Sequence, residues 1–374
     1  MIGTEHEFSI NGPGFVPLPV SDNIIKSICG SVESEILFGD TKIGKELQKT
    51  VLEFIPRTPA ADVAELEETL TGGIDRFYRI FKDKYTLLGL GMHPLLRLDQ
   101  TAVWDHDEGE YYEVYDRLFN ICQHGWLNIQ ALQANLSYSN NNDLVTLFNR
   151  LRSLLPYLIA ITASSPMVEG KMTGSMDNRL LYYRVNQKEI PRICNGIIPE
   201  RIHSVGDYRK AQEEIFAELR RRDAEILCEE WVNSGGIILR FSRSCAEIKA
   251  LDEQESIHSD MAVCAFIMAL LRCPVLPVEH NQDALLDLTD RAIESGTAGM
   301  RPELERLYAL AWTHATPQER RVLPVIENRI RYGSLAEQMH ERFRNDGSMI
   351  PMLSDLAACL RENRSYGMQP HDNH

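Results

Sequence analysis

The feature that most restricts the fold of this 374-residue chain is where its two hydrophobic periods fall. Side chains alternate faces along a strand and return every 3.6 residues along a helix. Period two appears at residues 4–10, 35–38, 50–55, 85–92, 126–139 and 237–251, with helical spacing in between. From His258 onward the spacing is helical alone, in at least five segments broken near 273–280, 296–301, 316–317, 332–333 and 345–348. Strands mixed with helices first, then helices alone, predict an α+β fold rather than the regular alternation of a doubly wound sheet. Neither G-x-G-x-x-G nor a Walker A motif is present.

The helical stretches carry their own signals. Residues 61–84 place Val63, Leu66, Leu70, Ile74, Phe77 and Phe81 on one stripe, with acids at the start that suit the helix dipole. Asn141 or Asn142 can cap a helix running to about residue 162, with Leu144, Leu147, Leu151, Leu154, Leu155 and Leu158 inward. A charged helix spans 207 to about 231, ahead of Gly235 and Gly236. The acidic, aromatic stretch 104–112 reads as a mobile loop leading into a helix from about 110 to 122. Within it, Asp105-His106-Asp107-Glu108 has a spacing that would suit a metal, and reads as a solvated lid. The tail from Tyr366 reads as disordered.

The strands carry the chemistry. Glu5 and Glu7 share one face of the first strand, and His6 and Phe8 the other. Two such acids fit a solvated edge strand, or a strand that holds a hard divalent cation through oxygen ligands. Glu53 shares a face with Val51 and Ile55, and a carboxylate on an apolar strand needs a partner if buried. In 126–139, Ala131, Gln133, Asn135 and Ser137 make a small polar face, opposite Leu132, Ala134, Leu136 and Tyr138. Read as one strand, 237–251 sets Glu247 between bases, with Arg243, Cys245 and Lys249 on its face. His93 before Pro94 reads as a structural residue that orients a turn.

Bulk properties exclude some partners. The net charge of −15 argues against a nucleic-acid backbone, whose binding requires clustered Lys and Arg. No run of about 18 apolar residues and no basic-then-apolar start predict a cytoplasmic protein without a membrane partner. The eight cysteines form no C-x-x-C pair, which predicts reduced, mostly buried thiols.

Taken in order, several stretches resemble the carboxylate–amine ligases of the glutamate–cysteine ligase superfamily, relatives of glutamine synthetase. Gly3-Thr4-Glu5-His6-Glu7-Phe8 is similar to that family's first strand, G-x-E-x-E-F. Val51-Leu52-Glu53-Phe54 is similar to its later metal strand, and Gly91-Met92-His93-Pro94 to its G-x-H-P turn. Leu154-Leu155-Pro156, Ala163-Ser164-Ser165-Pro166, Gly170 and Thr173-Gly174 follow its L-P…A-x-S-P…G-x-x-T-G stretch. The run from Ala246 to Gln254 resembles T-x-E-x-R-x-x-D-x-Q. Two departures stand out: Gln133 occupies a position that is often histidine, and Lys249 replaces an arginine. A glutamine cannot shuttle protons near neutral pH, and a lysine lacks the planar fork of a guanidinium.

The resemblance implies a curved, mainly antiparallel sheet with ATP and metals on its concave face and helices on its convex face. It implies a catalytic domain over 1–272 and a C-terminal helical region over 273–374, which packs on that domain or forms a homo-oligomer interface. Glu5, Glu7, Glu53 and Glu247 are then ligands for two or three Mg²⁺ ions, which Mn²⁺ can replace. Arg179, Arg243 and Lys249 are expected to act in catalysis, and Gln133, Asn135 and Arg240 to bind substrate or nucleotide. The implied reaction is ATP-dependent activation of a carboxylate, foremost the glutamate γ-carboxylate, as an acyl phosphate for attack by an amine such as cysteine. Two alternatives stay open: a non-catalytic nucleotide- or amino-acid-binding paralogue, and a metal-dependent kinase on the same fold.

Overall fold

A computed structural model describes residues 1–194 and 196–368. Its strands are β1 (Ile2–Asn11), β2 (Glu35–Phe38), β3 (Thr41–Lys45), β4 (Val51–Pro56), β5 (Thr86–Leu88), β6 (Ala131–Ser137), β7 (Met167–Val168), β8 (Lys171–Met172), β9 (Ile237–Arg240) and β10 (Cys245–Asp252). Eight of them form one open sheet in the order β2-β3-β4-β1-β6-β10-β9, with β5 paired to the end of β1. Every pairing in it is antiparallel. β7 and β8 make a separate hairpin. The expected α+β fold, with its antiparallel sheet and helical C-terminal part, is the fold observed.

The alternation of β1 divides the molecule. Ile2, Thr4, His6, Phe8 and Ile10 point to the helices; Gly3, Glu5, Glu7, Ser9 and Asn11 point to the other face. On the helix side, Val63–Phe81 packs on β3 and β4, Asn141–Thr162 on β9 and β10, and Ile257–Arg272 touches both helices. Phe8, Phe54 and Phe77 meet edge-on, with ring centroids 5.7 and 6.1 Å apart, tying β1 and β4 to the first of these helices. Truncating Phe54 to alanine in so closed a cluster costs about 3–5 kcal/mol. The Asn141–Thr162 helix has the length and apolarity to cross a membrane, but most of it is buried in this core. The C-terminal helices Gln282–Ser295, Arg301–His314 and Pro324–Tyr332 bring Leu285, Leu304, Leu307 and Ile326 into the same hydrophobic cluster.

Several segments depart from the sequence reading. β3 is a strand that T-K-I-G-K does not announce, because its lysines and glycine dilute the alternation. Residues 237–251 are not one strand. They fold as the hairpin β9–β10 through a turn at Phe241–Arg243, with Ser244 in the left-handed region at φ 54°. No glycine, proline or asparagine marks that turn, and its four residues reverse the alternation, so that Arg240 shares the face of Cys245 and Glu247. Arg243 is therefore a turn residue and not a strand neighbour of Glu247. The strand expected from 126 begins only at Ala131, after a helical turn at His124–Leu127, and that expected over 85–92 is limited to Thr86–Leu88. The charged helix is Val205–Arg220, and Asp223 at φ 53° lies just beyond its end. Asn140, rather than Asn141 or Asn142, caps the long helix by accepting from the amides of Asn142 and Asp143. Tyr366 is anchored, its amide donating to Glu255 at 2.8 Å; residues 369–374 of the expected disordered tail lie outside the described residues. All eight cysteines are free, and five are buried.

Candidate active site

The strand register gathers the acids on one face. Glu7 on β1 stands directly opposite Glu53 on β4. Glu5 stands opposite Gln133 on β6, and Asn135 opposite Glu247 on β10. All four glutamates border a cavity of about 540 Å³ on the side of the sheet away from the helices. It also receives Arg179, Arg240, Arg243, Lys249 and Gln133. Asn135 sits beside it, hydrogen-bonded to Glu5 at 3.3 Å.

A fifth acid completes the floor. Glu46 follows the last residue of β3, and its carboxyl oxygen lies within 4.8 Å of those of Glu7 and Glu53. Burial pushes the Glu7 carboxyl up to about 8, with the charge of Glu46 adding to the effect. Burial likewise raises Glu53 well above the usual carboxylate range, and Glu5, Glu46 and Glu7 press it further. Glu46 is raised by burial too, although Lys45 opposes the shift. Three carboxyls this close repel when ionised, and a divalent cation with oxygen ligands is what such a set accommodates. Sequence reasoning missed Glu46 because its strand was not recognised; the Lys45-Glu46 pair in a short polar run was the one available signal.

Glu5 and Glu247 have different neighbours. The Arg243 guanidinium donates to Glu5 at 2.6 Å, and that of Arg240 to Glu247 at 2.7 Å. Glu247 is 1% exposed, its Oε1 has no hydrogen-bond partner, and burial raises its carboxyl. So the four expected acids share a face but form two groups: Glu7 and Glu53 with Glu46, and Glu5 and Glu247 under arginines. Both oxygens of Glu7 are fixed, one by the Gln133 amide at 2.8 Å and one by the Ala131 N–H at 2.9 Å. The glutamine at the histidine position thus orients an acid. Lys249 sits at a bulge, where the pairing with β6 slips between Ile248 and Leu251. Burial works against its charge, but Tyr183 and Glu247 outweigh that and raise it.

Arg179 enters from the short helix Asn178–Tyr183, capped by the Asp177 carboxylate. One of its terminal nitrogens donates to the Lys249 carbonyl at 2.7 Å and the other lies 3.5 Å from Asp252. Its Nε and Nη1 have no hydrogen-bond partner among the described residues although the residue is 2% exposed. Asp252 in turn accepts from the Ser164 amide at 3.0 Å and the Ser165 hydroxyl at 2.8 Å. Its carboxyl fills the space beside Gly91, where a Cβ would come within 2.1 Å. The serine loop, Gly91 and Asp252 therefore form one buried support for Arg179. One wall of the cavity is aromatic: Tyr115 lies 5.1 Å from Trp126 and 6.1 Å from Trp231, ring to ring.

The acidic stretch is not a free lid. Lys49 bonds Asp22 at 2.6 Å and Asp105 at 3.1 Å, His106 bonds Asp22 at 3.2 Å, and Ser34 bonds Asp107 at 2.6 Å. Asp22, Asp105 and His106 lie close enough to hold an ion, but the Lys49 ammonium already supplies the positive charge between the acids. Lys45 pairs with Glu108 at 2.7 Å at the cavity mouth. His93 is structural, as expected: its Nε2 meets Asn11 at 2.6 Å and its Nδ1 accepts from the Leu95 amide at 3.2 Å.

Solved structures with this fold include a bifunctional glutathione synthetase from Pasteurella multocida, with a TM-score of 0.67 at 14% identity over 97% of this chain. The chain spans about half of that enzyme's length, 52%. A glutamate–cysteine ligase from Francisella tularensis, solved with AMP, is similar over 99% of this chain and 90% of its own, with a TM-score of 0.64 at 13% identity. The ligase PafA, in complex with the prokaryotic ubiquitin-like protein Pup, is similar over 95% of this chain and 72% of its own, with a TM-score of 0.53 at 9% identity. The fold is thus one that these three enzymes share. The sequence model of glutamate–cysteine ligase family 2 matches residues 1–355, and the chain belongs to that family. It is also 48% identical, over 98% of its length and 100% of the relative's, to an uncharacterized protein of Archaeoglobus fulgidus.

Proposed function

We propose that residues 1–272 form the catalytic domain of an ATP-dependent ligase that joins a carboxylate, foremost the glutamate γ-carboxylate, to an amine such as cysteine. The observation that carries this reading is the convergence of Glu7, Glu46 and Glu53 in a cavity also lined by Arg179, Arg240 and Arg243. These three acids, completed by Glu5 and Glu247, would hold Mg²⁺ or Mn²⁺. Such ions supply neutralisation of the polyphosphate charge. The protein's own groups do the remainder. Gln133 and the Ala131 amide hold Glu7 in one orientation. The unspent donors of Arg179 take the transferring phosphoryl group or the substrate carboxylate, with Arg243 and Lys249 adding positive charge. The aromatic wall of Tyr115, Trp126 and Trp231 suits a flat or apolar substrate part and excludes water from it.

In the reaction, the substrate carboxylate oxygen attacks the γ-phosphorus of ATP and ADP leaves. The amine then attacks the acyl carbon, phosphate departs and the amine loses a proton. A second reading, a binding protein without turnover, is favoured by one observation: Arg243 and Arg240 already pair with Glu5 and Glu247. ADP release from ATP, Mg²⁺ and glutamate, measured across amines including cysteine, separates the readings. Amine-dependent release that disappears in Glu247→Gln supports the ligase. Release without any amine indicates a kinase, and bound ATP with no release indicates the binding protein.

A further inference from the structure

A second cavity, of about 490 Å³, lies on the helix side of the sheet and shares no residue with the acidic one. It is bordered by Asn149, Arg150, Arg152, Arg201, His203 and His280, and among the described residues no aspartate or glutamate lines it. In a chain with 54 acids and 39 bases, such a lining is an unusual concentration of positive groups.

The buried arginine is the informative one. Arg152 is 2% exposed, yet its guanidinium is held only by neutral acceptors: the carbonyls of Pro199 at 2.7 Å and His280 at 3.0 Å, and the Gln282 side chain. No carboxylate among the described residues makes an ion pair with Arg150, Arg152 or Arg201. The nearest acids are exposed, and Glu279 already accepts the His280 and Asn281 amides at 2.7 and 2.8 Å. Burial lowers the Arg152 pKa and the neighbouring Arg201 lowers it further, against a weaker opposing effect of the exposed Glu200, which makes no ion pair with it. A desolvated charge without a counter-charge in contact is costly, and a bound anion offsets that cost through charge-assisted hydrogen bonds. Arg150 has a structural duty, since it donates to the Leu270 carbonyl at the end of the Ile257–Arg272 helix at 3.0 Å. That duty leaves its Nε buried without a partner, and it does not account for Arg201 and His203 on the facing segment. The volume lies in the range of small-molecule sites.

We propose that this cavity binds a small polyvalent anion bearing phosphate or several carboxylates, independently of the acidic site. The test is calorimetric titration of the full chain, stripped of metal, with pyrophosphate and with citrate at constant ionic strength, using sodium chloride as control. Saturable binding of either probe is expected; pyrophosphate alone identifies a phosphate ligand and citrate alone a polycarboxylate. Because Arg201 and His203 are exposed, the double variant Arg201→Gln/His203→Gln should keep its fold and lose affinity by about tenfold or more. Arg201→Lys should lose less, and Arg243→Gln in the acidic cavity should bind as the unaltered protein does. Absence of saturable binding above the chloride control overturns the proposal. So does binding that survives the double variant or vanishes in Arg243→Gln.

Discussion

Glu7 and Glu53 face each other across neighbouring antiparallel strands, both buried on the same face of the sheet. Like charges directly opposite on a sheet are destabilising, so the pair holds its protons until the pH nears 8, and ionising both carboxyls creates a tension that a cation would relieve. Above about pH 8, where Glu7 ionises, Glu7→Gln or Glu53→Gln should therefore raise the melting temperature of metal-free protein, by about 1 kcal/mol of stability. The same variants should lose Mg²⁺-dependent ATP turnover by at least about 100-fold. Thermal melts with and without Mg²⁺, alongside turnover, check both halves.

Glu46 should behave as a full member of this group. Glu46→Gln is expected to reduce Mg²⁺ affinity as much as Glu53→Gln does, and Mn²⁺ titration followed by electron spin resonance reads the difference. Equal Mn²⁺ affinity in Glu46→Gln and the unaltered protein would remove Glu46 from the set.

The raised Glu7 pKa, about 8, gives a pH dependence of definite sign. The folded state holds this proton more tightly than the unfolded state does, so metal-free stability falls as pH rises from about 4.5 toward 8. A cation must displace that proton, so stabilisation by Mg²⁺ should grow over the same range. Melting curves at pH 6 and 8, each with and without Mg²⁺, test both trends.

His93 gives the opposite sign. Burial drives its imidazole pKa down to about 4, so the folded state keeps it neutral while the unfolded chain takes up a proton below about 6.5. Its contribution is present above 6.5 and is lost as pH falls from there toward 4. His93→Gln should flatten the acid limb of the stability curve, measured by urea midpoints between pH 4 and 7.

Arg179 supports both stability and chemistry. Arg179→Met leaves Asp252 buried without its positive neighbour and should cost about 3 kcal/mol. Arg179→Lys keeps the charge and loses the fork, and should lower kcat/KM by about 10–100-fold with a smaller loss of stability. Urea unfolding and steady-state kinetics on the two variants separate these effects.

Much of this arrangement was legible because strand alternation is local. Glu5 with Glu7, and Gln133 with Asn135, could each be placed on one face of their own strand from spacing alone, and the buried stripe of Val63–Phe81 likewise. What spacing cannot carry is partnership between distant segments. Neither the Arg243–Glu5 pair nor the support of Arg179 by Asp252 has a local signature, since each joins residues far apart in the chain. The β9–β10 turn was hidden because it holds no glycine, proline or asparagine, and Ser242 and Ser244 are only a weak turn signal. Glu46 was hidden behind a strand whose composition looks like loop.

The central claim is activation of a carboxylate by phosphoryl transfer at the acidic cavity. The most direct measurement uses glutamate labelled with ¹⁸O in its γ-carboxylate, together with ATP, Mg²⁺ and the amine that supports turnover, and reads the released phosphate by mass spectrometry. An acyl phosphate carries one labelled oxygen into the phosphate, and this account predicts that transfer for every turnover. Amide product accompanied by unlabelled phosphate would contradict it.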